Sequence, residues 1–245
     1  MTIRRYHFII FICLFFIIYP LTKVYESKIS FSSADFYLKS RNYRQVALTF
    51  DDGPHKDFTK AIVDILNKYN VKATFFLVGK QVEKYPELVK YICQNSDSKI
   101  ANHTYSHKNL TLLSPLQIES ELLATQELLY NISTSSDKVI NYFRPPGGHF
   151  CTKVVSVAER LGYKIVLWSI FTNDHQRNVT KRDILQKIRS STNGNEEIVL
   201  LHSGSNVTLE CLPEIIEFFK NNGYKFVTVD EILEDETDNG VGLWQ

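Results

Sequence analysis

Short apolar segments alternate along most of this chain with segments whose apolar residues recur at helical spacing. The apolar segments lie at residues 46–50, 73–78, 99–102, 139–143, 164–168, 197–201 and 225–229. Between the first two segments, one helical face collects Phe58, Ile62, Ile65, Leu66 and Tyr69. Ser114 and Gln117 match the N-cap and N3 positions of a capping box, which predicts a helix to about Tyr130. The pattern predicts seven strands alternating with helices.

Continuous apolar strands joined by helices indicate a parallel sheet that is buried on both faces. Such a sheet is either doubly wound or closed into a barrel, and periodicity alone does not distinguish the two. Polar candidate residues follow several different strands, and in a barrel the carboxyl ends of the strands converge on one mouth. This distribution favours an α/β barrel.

The first 22 residues have a different character from the rest of the chain. Arg4 and Arg5 precede a charge-free apolar run, Phe8 to Tyr19, which is the layout of a secretory signal. The run is shorter than the roughly 20 residues of a spanning helix, and no small-residue cleavage site follows promptly. We expect residues 1–22 to be an uncleaved signal-anchor, with cleavage as the alternative, and residues 23–43 to be a polar stalk. The remainder would be extracytoplasmic, anchored to the membrane through the N-terminus, or secreted if the signal is cleaved.

Composition narrows the class of protein further. A chain of 245 residues suits a single domain with a sizeable core. Its net charge is +1 and its 28 Lys and Arg residues form no basic stripe, so we expect no nucleic-acid partner. Outside the apolar run, Cys93, Cys151 and Cys211 allow at most one internal disulfide, and we interpret them as core or free thiols. Nothing in the composition indicates the oligomeric state.

Two adjacent carboxylates, Asp51 and Asp52, close the first apolar segment in the sequence TFDDG. Neighbouring carboxylates at the end of a buried strand repel one another unless they share a cation or a proton. A solvated Asp-Asp-Gly-Pro turn is the alternative. His103 and His107 follow another apolar segment at a spacing that lets both imidazoles face one centre. Two imidazoles and one carboxylate form a metal site with open positions, and the second carboxylate is then free to act as a base.

Five ordered motifs resemble those of the polysaccharide deacetylases, carbohydrate esterase family 4. They are TFDDGP at 49–54, HTYSH at 103–107, FRPPGG at 143–148, LWS at 167–169 and IVLLH at 198–202. The resemblance spans roughly residues 44 to 232. It implies a distorted (β/α)7-type barrel, with one polysaccharide deacetylase domain over residues 44–235, an N-terminal apolar helix before it and a tail over 236–245.

The resemblance also implies roles for individual residues. The expected ligands of one divalent metal are Asp52, His103 and His107, with zinc expected and cobalt or another divalent ion as alternatives. Asp51 would be the general base, held by Arg144, and His202 the general acid. The substrate-side residues would be Pro146, Gly147, Trp168 and Leu200. For Trp168 and Leu200, ordinary core packing is the competing interpretation.

One motif departs from the family pattern. The fourth motif commonly reads Trp-Ser-x-Asp-x-x-Asp-Trp, whereas this chain has Phe171 at the first Asp position and His175 at the last Trp position. In relatives that first Asp raises the pKa of the general-acid histidine, so its loss should leave His202 less protonated at neutral pH. Asp174 could replace it if the loop is displaced.

The expected function is metal-dependent hydrolysis of N-acetyl groups from a polysaccharide that contains N-acetylglucosamine, such as chitin oligomers or peptidoglycan. One alternative is an O-acetyl esterase of the xylan type. Another is a non-catalytic carbohydrate-binding relative with an impaired acid–base pair. A metal-dependent phosphatase is less favoured, because the sequence has no Gly-rich phosphate loop.

Overall fold

The computed structural model describes residues 44–234, which form eight strands and eight α-helices. The strands are β1 (Gln45–Gly53), β2 (Thr74–Leu77), β3 (Lys99–Asn102), β4 (Val139–Phe143), β5 (Lys164–Ile165), β6 (Ile170–Phe171), β7 (Glu197–His202) and β8 (Lys225–Phe226). The helices are α1 (Thr59–Lys68), α2 (Gly79–Lys84), α3 (Pro86–Asn95), α4 (Pro115–Ile132), α5 (Thr152–Arg160), α6 (Lys181–Ser191), α7 (Asn206–Asn221) and α8 (Val229–Glu234). The predicted capping box forms at the start of α4, where Ser114 and Gln117 exchange backbone-to-side-chain hydrogen bonds.

All strand pairs are parallel, and the sheet runs in the order β5-β4-β3-β2-β1-β7-β6. The long strand β1 is central. It pairs with β2 on one side and with β7 on the other, and its first two residues also pair with β8. The helices between successive strands cover the outer face, as parallel connections require. The predicted α/β barrel fold is confirmed.

The barrel is distorted where β5 and β6 end the strand order, because the described residues form no ladder between these two strands. The connection between them was predicted as part of one strand over residues 164–168, and that prediction was wrong. Arg144 explains the break: its Nε donates to the Val166 carbonyl at 3.2 Å and its Nη2 to the Leu167 carbonyl at 2.8 Å. The guanidinium supplies the donors that a neighbouring strand would otherwise provide.

Alternation along β1 separates two apolar clusters. Val46, Leu48 and Phe50 point outward into the main core beneath the helices. Ala47 points into the barrel, where it belongs to a second cluster closed at its base by side chains of α8. The next inward positions, Thr49 and Asp51, are buried polar residues. The barrel interior is therefore apolar at its base and polar at the carboxyl ends of the strands.

The predicted N-terminal segments and the C-terminal tail, residues 1–22, 23–43 and 236–245, lie outside the described residues. Within residues 44–234, no helix combines the length and the apolarity that crossing a bilayer requires. The three cysteines of the domain, Cys93, Cys151 and Cys211, are free thiols, and two of them are buried.

Candidate metal and acid–base site

The motif residues converge because hydrogen bonds between neighbouring strands continue past the strand ends. Four such bonds have lengths of 2.9 to 3.0 Å: Val78 N to Gly53 O, His103 N to Leu77 O, Arg144 N to Asn102 O, and Ser203 N to Asp51 O. Asp51 also lies directly opposite His202 in the register of β1 and β7. Residues from four strands therefore meet at one mouth of the barrel.

Asp51 and Asp52 approach the same imidazole because the backbone of β1 changes direction between them. Asp52 has a φ of +67°, and the pairing of β1 with β2 shifts register between Phe50 and Gly53. A regular strand would send consecutive side chains to opposite faces, and this irregularity removes that alternation. As a result Nε2 of His103 lies 3.6 Å from Oδ2 of Asp51 and 3.4 Å from Oδ1 of Asp52.

Asp52, His103 and His107 form a three-donor cluster whose ligand atoms all lie within 4.8 Å of one another. Nε2 of His107 is 3.0 Å from Oδ1 of Asp52. That oxygen is buried and receives no well-aligned hydrogen bond from the described residues, although two imidazole nitrogens face it. A buried carboxylate oxygen without a donor, surrounded by two imidazoles, fits a divalent cation. The donor set is therefore suited to the metal that the sequence predicts.

The electrostatics of this cluster favour an ionised carboxylate at Asp52. Burial alone would raise the pKa of Asp52, but His103 and His107 lower it far below its ordinary range. The Asp52 carboxylate, 3.0 Å from Nε2 of His107, raises the pKa of His107 against an opposing effect of burial. A metal ion binds the neutral form of an imidazole, so metal and proton would compete for His107.

The ring of His103 is oriented by a second contact. Its Nδ1 lies 2.7 Å from the carbonyl oxygen of Arg144, which can only accept, so Nδ1 donates. The lone pair of Nε2 is then directed toward Asp51 and Asp52. A carbonyl partner of this kind fixes both the tautomer and the ring orientation of a metal-binding histidine.

The loop that carries His107 is held in an unfavourable backbone conformation by Glu121 of α4. Thr104 and His107 have φ values of +65° and +56°, which cost energy for residues other than glycine. The Glu121 carboxylate accepts hydrogen bonds from Ser106 N at 2.7 Å and from Ser106 Oγ at 2.5 Å. The sequence offered no signal for Glu121, because it lies in a helix and outside every motif.

Asn102 supports the same loop from the end of β3. Its Oδ1 accepts a hydrogen bond from Thr104 N, and its Nδ2 donates to the Leu122 carbonyl and to the Tyr163 hydroxyl, each at 2.8 Å. Asn102 is almost completely buried. With all three polar contacts satisfied, it links the metal-donor loop rigidly to the core.

Asp51 is paired with a buried guanidinium. Nη1 of Arg144 donates to Oδ1 of Asp51 at 2.7 Å and to Oγ1 of Thr49 at 2.8 Å. Arg144 is fully buried, and its guanidinium carbon lies 4.1 Å from the centre of the Phe76 ring. The other donors of Arg144 contact the carbonyls of Val166 and Leu167, so hydrogen bonds to several partners fix the position of the guanidinium. Oδ2 of Asp51 remains on the side of His103.

His202 has a carboxylate partner, contrary to the expectation drawn from Phe171. Oδ1 of Asp174 lies 2.6 Å from Nδ1 of His202, and Oδ2 of Asp174 accepts from His202 N at 2.7 Å. Oγ1 of Thr208, in the first turn of α7, also donates to this carboxylate. Burial alone would lower the pKa of His202, but the bond to Asp174 and its charge outweigh burial and raise it.

The expectation was wrong because the loop, and not the spacing within the motif, decides which carboxylate reaches His202. Asn173 adopts a φ of +59°, and the Asp174 carbonyl accepts a hydrogen bond from Oγ of Ser205. These contacts turn the buried Asp174 side chain toward β7. Phe171 lies in β6 and its ring contacts Trp168 and His175. Asp174, the alternative that the sequence offered, is thus the partner of His202.

The four residues predicted on the substrate side lie outside the cavity that Asp52 and His202 line. A cavity of about 580 Å³ brings Asp52 together with His202, and its wall continues over His55, Gln81, His175 and Arg177. Trp168 is half-buried and packs against Gly148, next to Pro146 and Gly147 in the third motif. Gly147 has a φ of +64°. Leu200 is almost completely buried in β7, opposite Thr49 in the strand register. These four residues are not part of the wall of this cavity.

Comparisons with known proteins agree with this arrangement of motifs. A family model described as polysaccharide deacetylase matches residues 39–166. A peptidoglycan-N-acetylglucosamine deacetylase of Bacillus cereus is 36% identical over 197 residues, which cover 79% of this chain and 70% of that protein.

Two solved structures are similar in fold as well as in sequence. A peptidoglycan N-acetylglucosamine deacetylase aligns with a TM-score of 0.75 and 33% identity, covering 82% of this chain and 95% of that one. A carbohydrate esterase family 4 pseudoenzyme from Bacillus anthracis aligns with a TM-score of 0.72 and 29% identity, covering 78% of this chain and 66% of that one. The likeness therefore includes both a deacetylase and a protein described as a pseudoenzyme.

Proposed function

This chain belongs to the polysaccharide deacetylase family, and we propose that it hydrolyses N-acetyl groups of N-acetylglucosamine units in an extracytoplasmic cell-wall glycan, releasing acetate. One observation carries the proposal: a paired carboxylate, Asp51, and a paired imidazole, His202, accompany the metal donors at the same mouth of the barrel. Amide hydrolysis needs both a base for the attacking water and an acid for the leaving amine.

Asp52, His103 and His107 would hold one divalent ion. When bound there, such an ion would polarise the acetyl carbonyl as a Lewis acid and lower the pKa of a water molecule to about 7. Zinc suits a set of two imidazoles and one carboxylate, and cobalt is the alternative because it accepts the same ligands. The identity of the native ion is part of the proposal.

Asp51 would take a proton from the attacking water through Oδ2. Its other oxygen, Oδ1, is occupied by the Arg144 guanidinium, which prevents the carboxylate from turning away. Because Arg144 is fully buried, solvent does not weaken this pair. Arg144 thus acts by positioning Asp51.

His202 would deliver a proton to the departing amine nitrogen. Nδ1 donates to Asp174, so Nε2, on the opposite side of the ring, is the nitrogen available to the substrate. An amine leaves poorly as an anion, and protonation as the carbon–nitrogen bond breaks removes that obstacle. The raised pKa of His202 keeps the imidazole charged to a higher pH than an isolated histidine.

The complete acid–base pair favours an enzyme over a non-catalytic carbohydrate-binding relative. The pseudoenzyme among the structural neighbours keeps the fold, so fold alone does not decide the matter. In this chain the side chains for each proton transfer are present and supported by buried partners.

A direct test uses the full-length chain, purified in detergent, with one equivalent of zinc. Acetate should be released from chitooligosaccharides or purified peptidoglycan, and EDTA should abolish the release. Asp51→Asn should reduce it by about 10²- to 10⁴-fold, while the exposed Asp57→Asn serves as the matched control. Binding of glycan without acetate release would support the non-catalytic alternative and overturn the proposal.

A second variant and a comparison of substrates distinguish an N-deacetylase from an O-acetyl esterase. His202→Ala should abolish hydrolysis of the amide while sparing an activated acetyl ester, because the leaving group of that ester needs no proton. Release of acetate from acetylated xylan, with none from either N-acetylated glycan, would show that the ester is the substrate. Comparing chitin oligomers with peptidoglycan then identifies the polymer.

A further inference from the structure

Asp174, His175 and His202 form a second cluster of metal-donor side chains, separate from the three proposed ligands. One donor atom from each of the three lies within 4.8 Å of the others. All three line the cavity that also reaches Asp52. His175 occupies the position where the family motif has a tryptophan, a side chain that cannot bind a metal, so the cluster depends on a feature of this chain.

The contact between Asp174 and His202 has the form that supports a histidine ligand. A histidine that binds a metal usually donates its other ring N–H to a carboxylate or a carbonyl. Nδ1 of His202 donates to the buried Asp174 carboxylate, which leaves Nε2 for a ligand. Asp174 is also bonded by His202 N and by Thr208, so it would stay a supporting partner and not leave these bonds.

His175 supplies the second imidazole. Its ring centre is 4.8 Å from that of His202 at an angle of 57°, and its other ring contact, at 5.6 Å, is with Phe171. His175 is exposed, so its side chain can turn. Ligand atoms on one tetrahedral zinc ion are about 3.3 Å apart, since each lies about 2.0–2.1 Å from the metal. The donor atoms of the cluster lie within 4.8 Å of one another, so a rotation of the exposed His175 side chain can bring its nitrogen to about 3.3 Å from that of His202.

We propose that His175 and His202 form a second, weaker divalent-cation site, and that a cation bound there inhibits the enzyme by occupying the nitrogen that would protonate the leaving amine. The site is weaker than the first because it has two direct ligands, whereas the first adds the carboxylate of Asp52 to two imidazoles. The inhibition rests on the proposed function of His202, whereas the binding does not.

Binding is measured first, without substrate, by titrating zinc into the metal-free full-length chain. Wild type should bind two equivalents, the second with a dissociation constant at least about tenfold above the first. His175→Trp should bind one, and His149→Ala, which removes another exposed histidine, should still bind two. Retention of the second equivalent by His175→Trp, or a single equivalent in wild type, would overturn the site.

A further variant isolates the second site. Asp52→Asn removes a ligand of the first site, so the zinc equivalent that this variant retains should be at the second site. Adding His175→Trp to Asp52→Asn should abolish the binding of that equivalent. Persistence of that equivalent in the double variant would place it elsewhere and refute the assignment.

Inhibition is measured as acetate release against zinc concentration. Wild type and His149→Ala should lose activity by at least about tenfold in excess zinc, relative to one equivalent, and His175→Trp should keep its own activity over the same range. Two bound equivalents without this loss would refute the inhibitory role while leaving the binding site in place. Absence of acetate at one equivalent would instead refute the proposed function.

Discussion

The buried carboxylate of Asp174 accepts a hydrogen bond from Nδ1 of His202 over 2.6 Å and raises the pKa of that imidazole. Although 28 residues separate the two along the chain, the contact determines the protonation state of the nitrogen that faces the cavity. It also replaces the carboxylate that the family motif has at position 171. The pH dependence of the enzyme should therefore report on this pair.

Asp174→Asn should shift the alkaline limb of the kcat/KM profile to lower pH. The raised pKa of His202 keeps it protonated above about pH 6.5, and removing the negative charge lowers that pKa. Activity at about pH 8 should fall by tenfold or more, and activity at about pH 6 by less. Acetate release is measured from pH 5 to 9 with the zinc content of each variant determined alongside. An alkaline limb at its wild-type position would contradict this account of His202.

Arg144→Gln should destabilise the fold by about 3–5 kcal/mol, because it leaves Asp51 charged, buried and without its partner. Urea denaturation of the full-length chain measures the free energy of unfolding. The control is Arg160→Gln, which breaks an exposed pair with Glu119 and should cause little change. Equal losses for the two variants would show that burial of the Arg144 pair contributes nothing.

The metal-free protein should become less stable as the pH rises from about 6 to about 8. His107 and His202 both have raised pKa values in the folded state, so their stabilisation is complete below about pH 6.5 and is lost as the pH passes through the folded values. With saturating zinc the trend should reverse, because zinc and protons compete for the same imidazoles. Urea denaturation at both pH values, with and without zinc, measures the trend. A metal-free protein that gains stability over this interval would contradict the prediction.

Glu121→Ala should weaken zinc binding at the first site by about tenfold. The Glu121 carboxylate holds both donors of Ser106, and without it the loop that carries His107 can relax from its strained conformation. Isothermal titration with zinc measures the effect. Glu83→Ala is the matched control, since Glu83 contacts the same loop through the exposed Tyr105 hydroxyl. Wild-type affinity in Glu121→Ala would mean that Glu121 does not position the ligand.

Local pattern in the sequence was sufficient for several features. The alternation of apolar strands with helical faces predicts a parallel sheet covered by helices, and the polar residues after several strands favour the barrel form of that sheet. The capping box at Ser114 depends on residues three apart. Such features could be predicted from sequence because short-range geometry produces them.

Contacts between distant segments were decided by the tertiary structure alone. Arg144 reaches Asp51 across 93 residues, and Thr208 reaches Asp174 across 34. The same packing splits the predicted strand at 164–168, because Arg144 binds its carbonyls, and it brings Asp174, which the sequence left as the alternative partner, to His202. The sequence by itself determined which chemical groups are available, whereas packing determined which of them meet, because burial stabilises a hydrogen bond or an ion pair only where its partner is within reach.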